Sequence, residues 1–274
     1  MALAIRLSVD LIRHYGRIKL SYLIFCIGKC FESCKAKTLE ALRQMKNWFL
    51  ILVILLCNFF SAKDVWADSI CFGTTANGRL EKGEAMPRSG PNFKTYSEIG
   101  WVAGRTYVHS KVKKAIIKSY QDLEVIEPQK KFVYGETGWK NGGKFKPHKT
   151  HQNGLSVDLM VPVVERDSRQ SVFLPTSAFN KWGYDIEFDK NGHYQDLAID
   201  FEVLARLIEK IHKASLEEDI GIDRVIIDPL FIAKLHSTSL GDFMGKNIKI
   251  PTKKSWVRHD EHIHIDFQIK CQSS

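Results

Sequence analysis

No long apolar run interrupts this chain of 274 residues. Its most apolar uncharged stretch, Trp48 through Phe60, spans 13 residues. A helix needs about 20 to cross a bilayer, so the run is too short for a comfortable membrane span. Met45-Lys46-Asn47 precedes this run, and a polar stretch ending Val65-Trp66-Ala67 follows it. A basic start, a short apolar centre and small or aliphatic residues at the cleavage positions make a secretory signal. The expected division is therefore an upstream extension over 1–44, a signal peptide over 45–67 and a mature domain over 68–274. A membrane-anchoring helix pair within residues 1–60 is the competing reading. The mature chain is also poor in net charge. Ten of the 40 Lys and Arg and four of the 31 Asp and Glu fall in residues 1–67, which leaves 30 against 27. The apparent +9 becomes about +3, so the basic excess expected of a nucleic-acid binder is mostly absent. No internal repeats are present.

Cysteine is scarce in the mature chain. Cys26, Cys30, Cys34 and Cys57 precede the expected cleavage point, and only Cys71 and Cys271 remain, one near each end. In an oxidising compartment such a pair invites a disulfide tying the termini together.

Histidine clusters are what the mature chain does have. The run His259-Asp260-Glu261-His262-Ile263-His264-Ile265-Asp266-Phe267 reads as a strand. Side chains two apart share a face, so Ile263, Ile265, Phe267 and Ile269 face a core while His262, His264 and Asp266 face the other way. Two imidazoles on one rigid face suit a metal. A second cluster, His148 and His151 followed by Gly154 and Asp158, precedes Pro162. Leu155, Val157, Leu159 and Val161 alternate with Ser156, Asp158 and Met160. A carboxylate in so apolar a strand is costly unless it is paired or binds a cation. Gly154 marks a turn, so His151 could fold back toward Asp158. Two histidines and one carboxylate form a recurring catalytic zinc set with a fourth position open to water. The same set also serves iron(II) oxygenases, but export and the lack of a cosubstrate motif argue against that chemistry.

The remaining pattern is mixed. Residues 71–105 read as an irregular lead-in with turns at Asn77-Gly78 and Ser89-Gly90-Pro91. Ser110 to Glu124 reads as a helix capped by Ser110, and Lys131 to Gly135 as a short strand. Arg166 to Gly192 is expected to be a long loop. Asp200 to Ser215 is an amphipathic helix with Phe201, Leu204, Ala205, Ile208 and Ile211 on its stripe. Arg224 to Ile227 is a short strand, Pro229 to His236 a helix and Gly241 to Ser255 a basic loop. The fold class is α+β: a small antiparallel sheet carries the zinc site, flanked by helices and long loops.

Together the two clusters, His-x-x-His-x-x-x-x-x-x-Asp and His-x-x-His-x-His, resemble the penicillin-insensitive murein endopeptidase family. That family is grouped with lysostaphin-type peptidases, D-Ala-D-Ala peptidases and the hedgehog amino-terminal domain. The resemblance covers roughly Cys71 to Cys271 and is strongest over Pro147–Pro162 and Arg258–Phe267. It implies Zn2+ held by His151, Asp158 and His264, with His262 assisting catalysis. His148 and His259 are implied as accessory histidines or part of a second metal position, to which Asp189 and His193 could contribute. It also implies the Cys71–Cys271 bridge. The implied activity is a zinc metallopeptidase that cuts stem-peptide cross-links of peptidoglycan at the D-Ala–diaminopimelate bond. Such an enzyme is periplasmic or secreted, and neither nucleic acid nor a stable membrane span is expected. A D-Ala-D-Ala carboxypeptidase and a non-catalytic zinc-containing wall-binding module are the alternatives. A binding module has little need for His262 beside a ligand.

Overall fold

The computed structural model describes residues 68–273 apart from 254 and 256, together with Trp48. The chain divides into two units, Met1–Trp66 and Ala67–Ser274, and the second carries the fold. The expected extension, signal peptide and first four cysteines lie outside the described residues. Among the described residues no helix is long and apolar enough to cross a membrane.

The central sheet has five strands in the order β12 (Gly221–Ile226), β13 (His262–Gln268), β7 (Ser156–Met160), β6 (Phe132–Tyr134), β4 (Phe93–Thr95). All neighbours are antiparallel except β4 and β6. The parallel pair follows from its connection, which runs through α1 (Glu98–Val102), β5 (Tyr107–Val108) and α2 (Ser110–Ile126). A crossover of that length can return the chain in the same direction. A second sheet runs β10 (His193–Tyr194), β11 (Leu197–Ile199), β8 (Val163–Glu165), β9 (Ser171–Val172). Two small pairs, β1 (Ile70–Thr74) with β2 (Asn77–Glu81) and β3 (Glu84–Ala85) with β5, complete the strands.

One apolar core joins helices and sheet. Helix α2 buries Val112, Ala115, Ile116, Tyr120 and Leu123. It packs on α3 (Phe201–Glu217), which buries Val203, Leu204, Leu207, Ile208 and Ile211. These spacings are those of one helical face, and each fully buried aliphatic side chain contributes roughly 1.5–3 kcal/mol. Asp200 caps α3 by accepting from the Val203 amide at 3.2 Å. Helix α4 (Pro229–His236) starts with proline at its first position, where a missing N–H costs nothing.

Several expectations need correction. The cap of α2 is His109, whose Nδ1 accepts from the Lys111 amide at 3.2 Å. Ser110 Oγ instead accepts from the Ser69 amide at 3.0 Å. The first hairpin turns at Thr75-Ala76, and Asn77-Gly78 lie within β2, because Thr74 pairs with Asn77. The lead-in over 71–105, expected to be irregular, holds β1 to β4 and α1 between its turns. The stretch from Gly241 contains a helix, α5 (Gly241–Asn247). The expected loop over 166–192 holds β9 and a short 3-10 turn at Ala178–Gly183.

Cys71 and Cys271 form a disulfide across a separation of 200 residues. Backbone pairing sets the two ends side by side: Gly73 N–H donates to Gln272 O, and Gln272 N–H to Cys71 O, both at 2.9 Å.

Candidate metal centre

Strand register builds the site. Strands β13 and β7 pair so that His264 lies opposite Asp158, Asp266 opposite Ser156 and His262 opposite Met160. Ile263, Ile265 and Phe267 are buried, as the alternation requires, but the histidine face is buried too. Asp158 is completely buried and sits between four imidazoles. Its Oδ1 lies 2.9 Å from His264 Nδ1, 3.3 Å from His151 Nε2 and 3.9 Å from His262 Nε2. Its Oδ2 accepts from Tyr184 Oη at 3.0 Å and lies 3.8 Å from His148 Nδ1.

His151 arrives from the loop as expected. Its φ of 65° places it in the left-handed region, at a cost of about 1–2 kcal/mol for a residue with a side chain. Its Nδ1–H donates to the Thr137 carbonyl at 3.2 Å. The proton is thereby on Nδ1, and Nε2 presents a bare lone pair. That nitrogen is buried and has no hydrogen-bond partner. His151 Nε2 and Asp158 Oδ1 face each other 3.3 Å apart, a spacing at which both could hold one cation. Gly154, at φ 77°, makes the turn behind this loop. A Cβ there would lie 2.6 Å from Leu80 Cδ2 and 2.8 Å from the His109 amide nitrogen.

His264 is oriented from behind. Its Nε2–H donates to Asp266 Oδ1 at 3.0 Å, which turns Nδ1 toward Asp158. Asp266 is in turn held by Ser156 Oγ at 2.6 Å and by Arg224 Nε at 2.8 Å. Imidazole ligands commonly carry such a carboxylate on the far nitrogen. Burial opposes charge on His264, but its bonds to Asp158 and Asp266 prevail and raise it to about 9. A proton on Nδ1 does for Asp158 what a divalent cation at that place would do. Burial likewise opposes charge on Asp158, yet the imidazoles around it, with protonated His264 at 2.9 Å, hold its carboxyl well below the ordinary range.

The two further histidines of the resemblance both lie beside this cluster: His148 packs on His151 and His259 on His262. His148 Nε2–H donates to Glu136 Oε2 at 2.7 Å. Burial alone would depress His148, but Glu136 and the Asp158 charge raise it. His259 stacks against His262 with ring centroids 4.6 Å apart and is held by the Val257 carbonyl at 3.0 Å. Burial and its neighbour His262 push it down to about 3. His262 is lowered to about 4, chiefly by burial, and its Nδ1 bonds Glu261 Oε1 at 2.9 Å. Burial raises Glu261 to about 7.

Among the described residues, the group whose ligand atoms all lie within 4.8 Å of one another is His148, His151 and Asp158. A metal ion could sit in this cluster. His264 touches the same carboxylate oxygen from the opposite strand. Asp189 and His193 are not part of this group: Asp189 Oδ1 accepts from the Asn191 and His193 amides and closes a turn.

Several residues around the site carry no signal in the sequence. Tyr184 reaches Asp158 from the loop after the 3-10 turn. Glu136 follows β6 and accepts from Tyr96 Oη at 2.8 Å and from Arg105. Its contribution is visible only once the fold sets it beside His148.

A family model described as penicillin-insensitive murein endopeptidase matches residues 71–274. The chain belongs to that family. No curated protein matches it. Membership makes the chain a peptidase of the murein endopeptidase kind, with peptidoglycan as its substrate class and a place of action outside the cytoplasm. The matched segment contains the whole histidine cluster and both bridged cysteines.

Proposed function

We propose that this chain is a zinc peptidase that hydrolyses the D-Ala–diaminopimelate cross-links of peptidoglycan, with His151, Asp158 and His264 as metal ligands. The observation that carries the reading is the meeting of His151 Nε2 and His264 Nδ1 at one oxygen of a fully buried carboxylate, with His151 Nε2 unpartnered. Two nitrogens and one oxygen are the donor set of a catalytic rather than a structural zinc site, which keeps its fourth position for water. Zinc bound there would polarise the scissile carbonyl and make water acidic enough to attack near neutral pH.

The chain's own residues supply the rest. Thr137 and Asp266 each hold one ring proton and aim His151 Nε2 and His264 Nδ1 inward; the proton on His264 Nδ1 would leave where a metal took its place. Glu261 occupies His262 Nδ1 and leaves Nε2 facing the cluster. Burial keeps His262 neutral at pH 7, so Nε2 can take a proton from the attacking water and return it to the leaving amine. His148 and His259 flank the same cluster as accessory groups. Residues 45–67 serve as the secretory signal and 1–44 as an upstream extension absent from the mature protein, which acts in the periplasm or is secreted.

The test is digestion of purified peptidoglycan with and without chelator, with products weighed by mass spectrometry. Cross-linked dimers should resolve into monomers, and chelator should stop the reaction. Loss of a terminal D-Ala alone would mark a carboxypeptidase. Binding without products would mark a wall-binding module. His151→Ala and His264→Ala should each abolish digestion and lower the bound zinc; unchanged zinc in both variants would remove the ligand assignment.

A further inference from the structure

Tyr184 enters the centre from outside both histidine motifs. It follows a tight left-handed turn: Lys181, Trp182 and Gly183 have φ values of 48°, 56° and 103°. That turn aims the phenol across the end of β6 at Asp158. The hydroxyl donates to Asp158 Oδ2 at 3.0 Å and accepts from the Glu136 amide at 2.9 Å. Both of its hydrogen-bonding directions are thus committed. The ring is gripped on two edges, by Tyr96 at 5.9 Å and by His262 at 5.1 Å between centroids. Gly135 makes the approach possible, because a Cβ there would lie 2.6 Å from Tyr184 Oη and 3.0 Å from Asp158 Cβ.

A carboxylate can present one oxygen or both to a cation. Here the phenol occupies Oδ2 at 3.0 Å with His148 Nδ1 further off at 3.8 Å, and the nitrogens of His264, His151 and His262 face Oδ1. We propose that Tyr184 is a positioning residue that holds Asp158 so that only Oδ1 is offered to the metal. The proposal rests on Asp158 being a ligand. Its consequence would be a single carboxylate oxygen in the coordination set.

The experiment compares Tyr184→Phe with the parent protein by competition for zinc against a chromophoric chelator and by steady-state hydrolysis of cross-linked muropeptides. Removing one oxygen leaves the ring packing in place. Zinc affinity should fall by about 10–100-fold, as for other partners that orient a ligand. The kcat should fall with it, while KM stays within about twofold. A lowered unfolding midpoint with parental zinc affinity and kcat would mean a merely structural tyrosine and would overturn the proposal. Gly135→Ala provides the second route, because its Cβ crowds the phenol at 2.6 Å and Asp158 Cβ at 3.0 Å with the hydroxyl intact. It should weaken zinc in the same direction, and parental affinity in that variant would also overturn the proposal. Asp158→Asn separates the two levels of the argument. If it loses zinc and Tyr184→Phe does not, the positioning role alone fails. If it keeps parental zinc affinity, the ligand reading beneath fails.

Discussion

Replacing Glu136 with glutamine removes one buried negative charge and almost no volume. The carboxylate accepts from Tyr96 Oη, Arg105 Nε and His148 Nε2 and is only 7% exposed. Burial by itself would raise its pKa. The bonds from His148 and Arg105 outweigh burial and hold it at about 2, against an ordinary 4.5. At about 1.4 kcal/mol per pH unit, that difference is worth about 3 kcal/mol of stability. The sign follows from which state binds the proton more tightly. The unfolded carboxyl does, so the stabilisation is complete above about pH 4.5 and is lost as pH falls through 2. About 1.4 kcal/mol remains at pH 3. For a domain of this size about 3 kcal/mol corresponds to roughly 6–12 °C in unfolding midpoint. The assay is urea unfolding of Glu136→Gln and parent at pH 7 and pH 3, with equal metal content and the disulfide intact. The expected gap is about 3 kcal/mol at pH 7 and less than half of that at pH 3. A gap under about 0.5 kcal/mol at pH 7, the size of an ordinary surface change, would refute the reasoning. So would a gap that does not move with pH.

His262→Ala should retain zinc and lose hydrolysis by about 10²–10⁴-fold, the scale of a general acid–base group; near-parental turnover of muropeptide dimers would refute its catalytic role. Asp266→Ala leaves His264 Nε2 without its carboxylate and should weaken zinc by about 10–100-fold, read by chelator competition, with parental affinity as the contrary result. Replacing Cys71 and Cys271 together by serine should cost about 5 kcal/mol in the chain-entropy description of a 200-residue loop. Chemical unfolding tests this, and a loss under about 1 kcal/mol would show that the backbone pairing at Gln272 already holds the ends.

Much of this was legible beforehand because it is local. The stripe from Leu204 to Ile211 repeats at the helical period, and the alternation over 155–161 and 262–267 is the strand period. Both chemical clusters lie within single short segments. Pro229 at a helix start needs no tertiary contact to be recognised. The errors share a cause. Ser110 looks like a cap in isolation, but Ser69, 41 residues away, engages its hydroxyl and leaves His109 to cap. Asn77-Gly78 looks like a turn in isolation, but pairing with β1 draws both residues into a strand. Tyr184 and Glu136 have no motif around them. Their roles exist only because a left-handed turn brings Tyr184 to the Asp158 carboxylate and the end of β6 brings Glu136 to His148.

By itself, the order of residues determined the periodicities, the apolar faces and the donors available on each strand, since these depend on side chains a few positions apart. Folding decided which donors meet. His264 and Asp158 are 106 positions apart along the chain, and only the cross-strand register of β13 against β7 sets them opposite each other. A slip of one residue would turn the imidazole to the other face. That selection is made by backbone hydrogen bonds and core packing between distant segments, which no local pattern encodes.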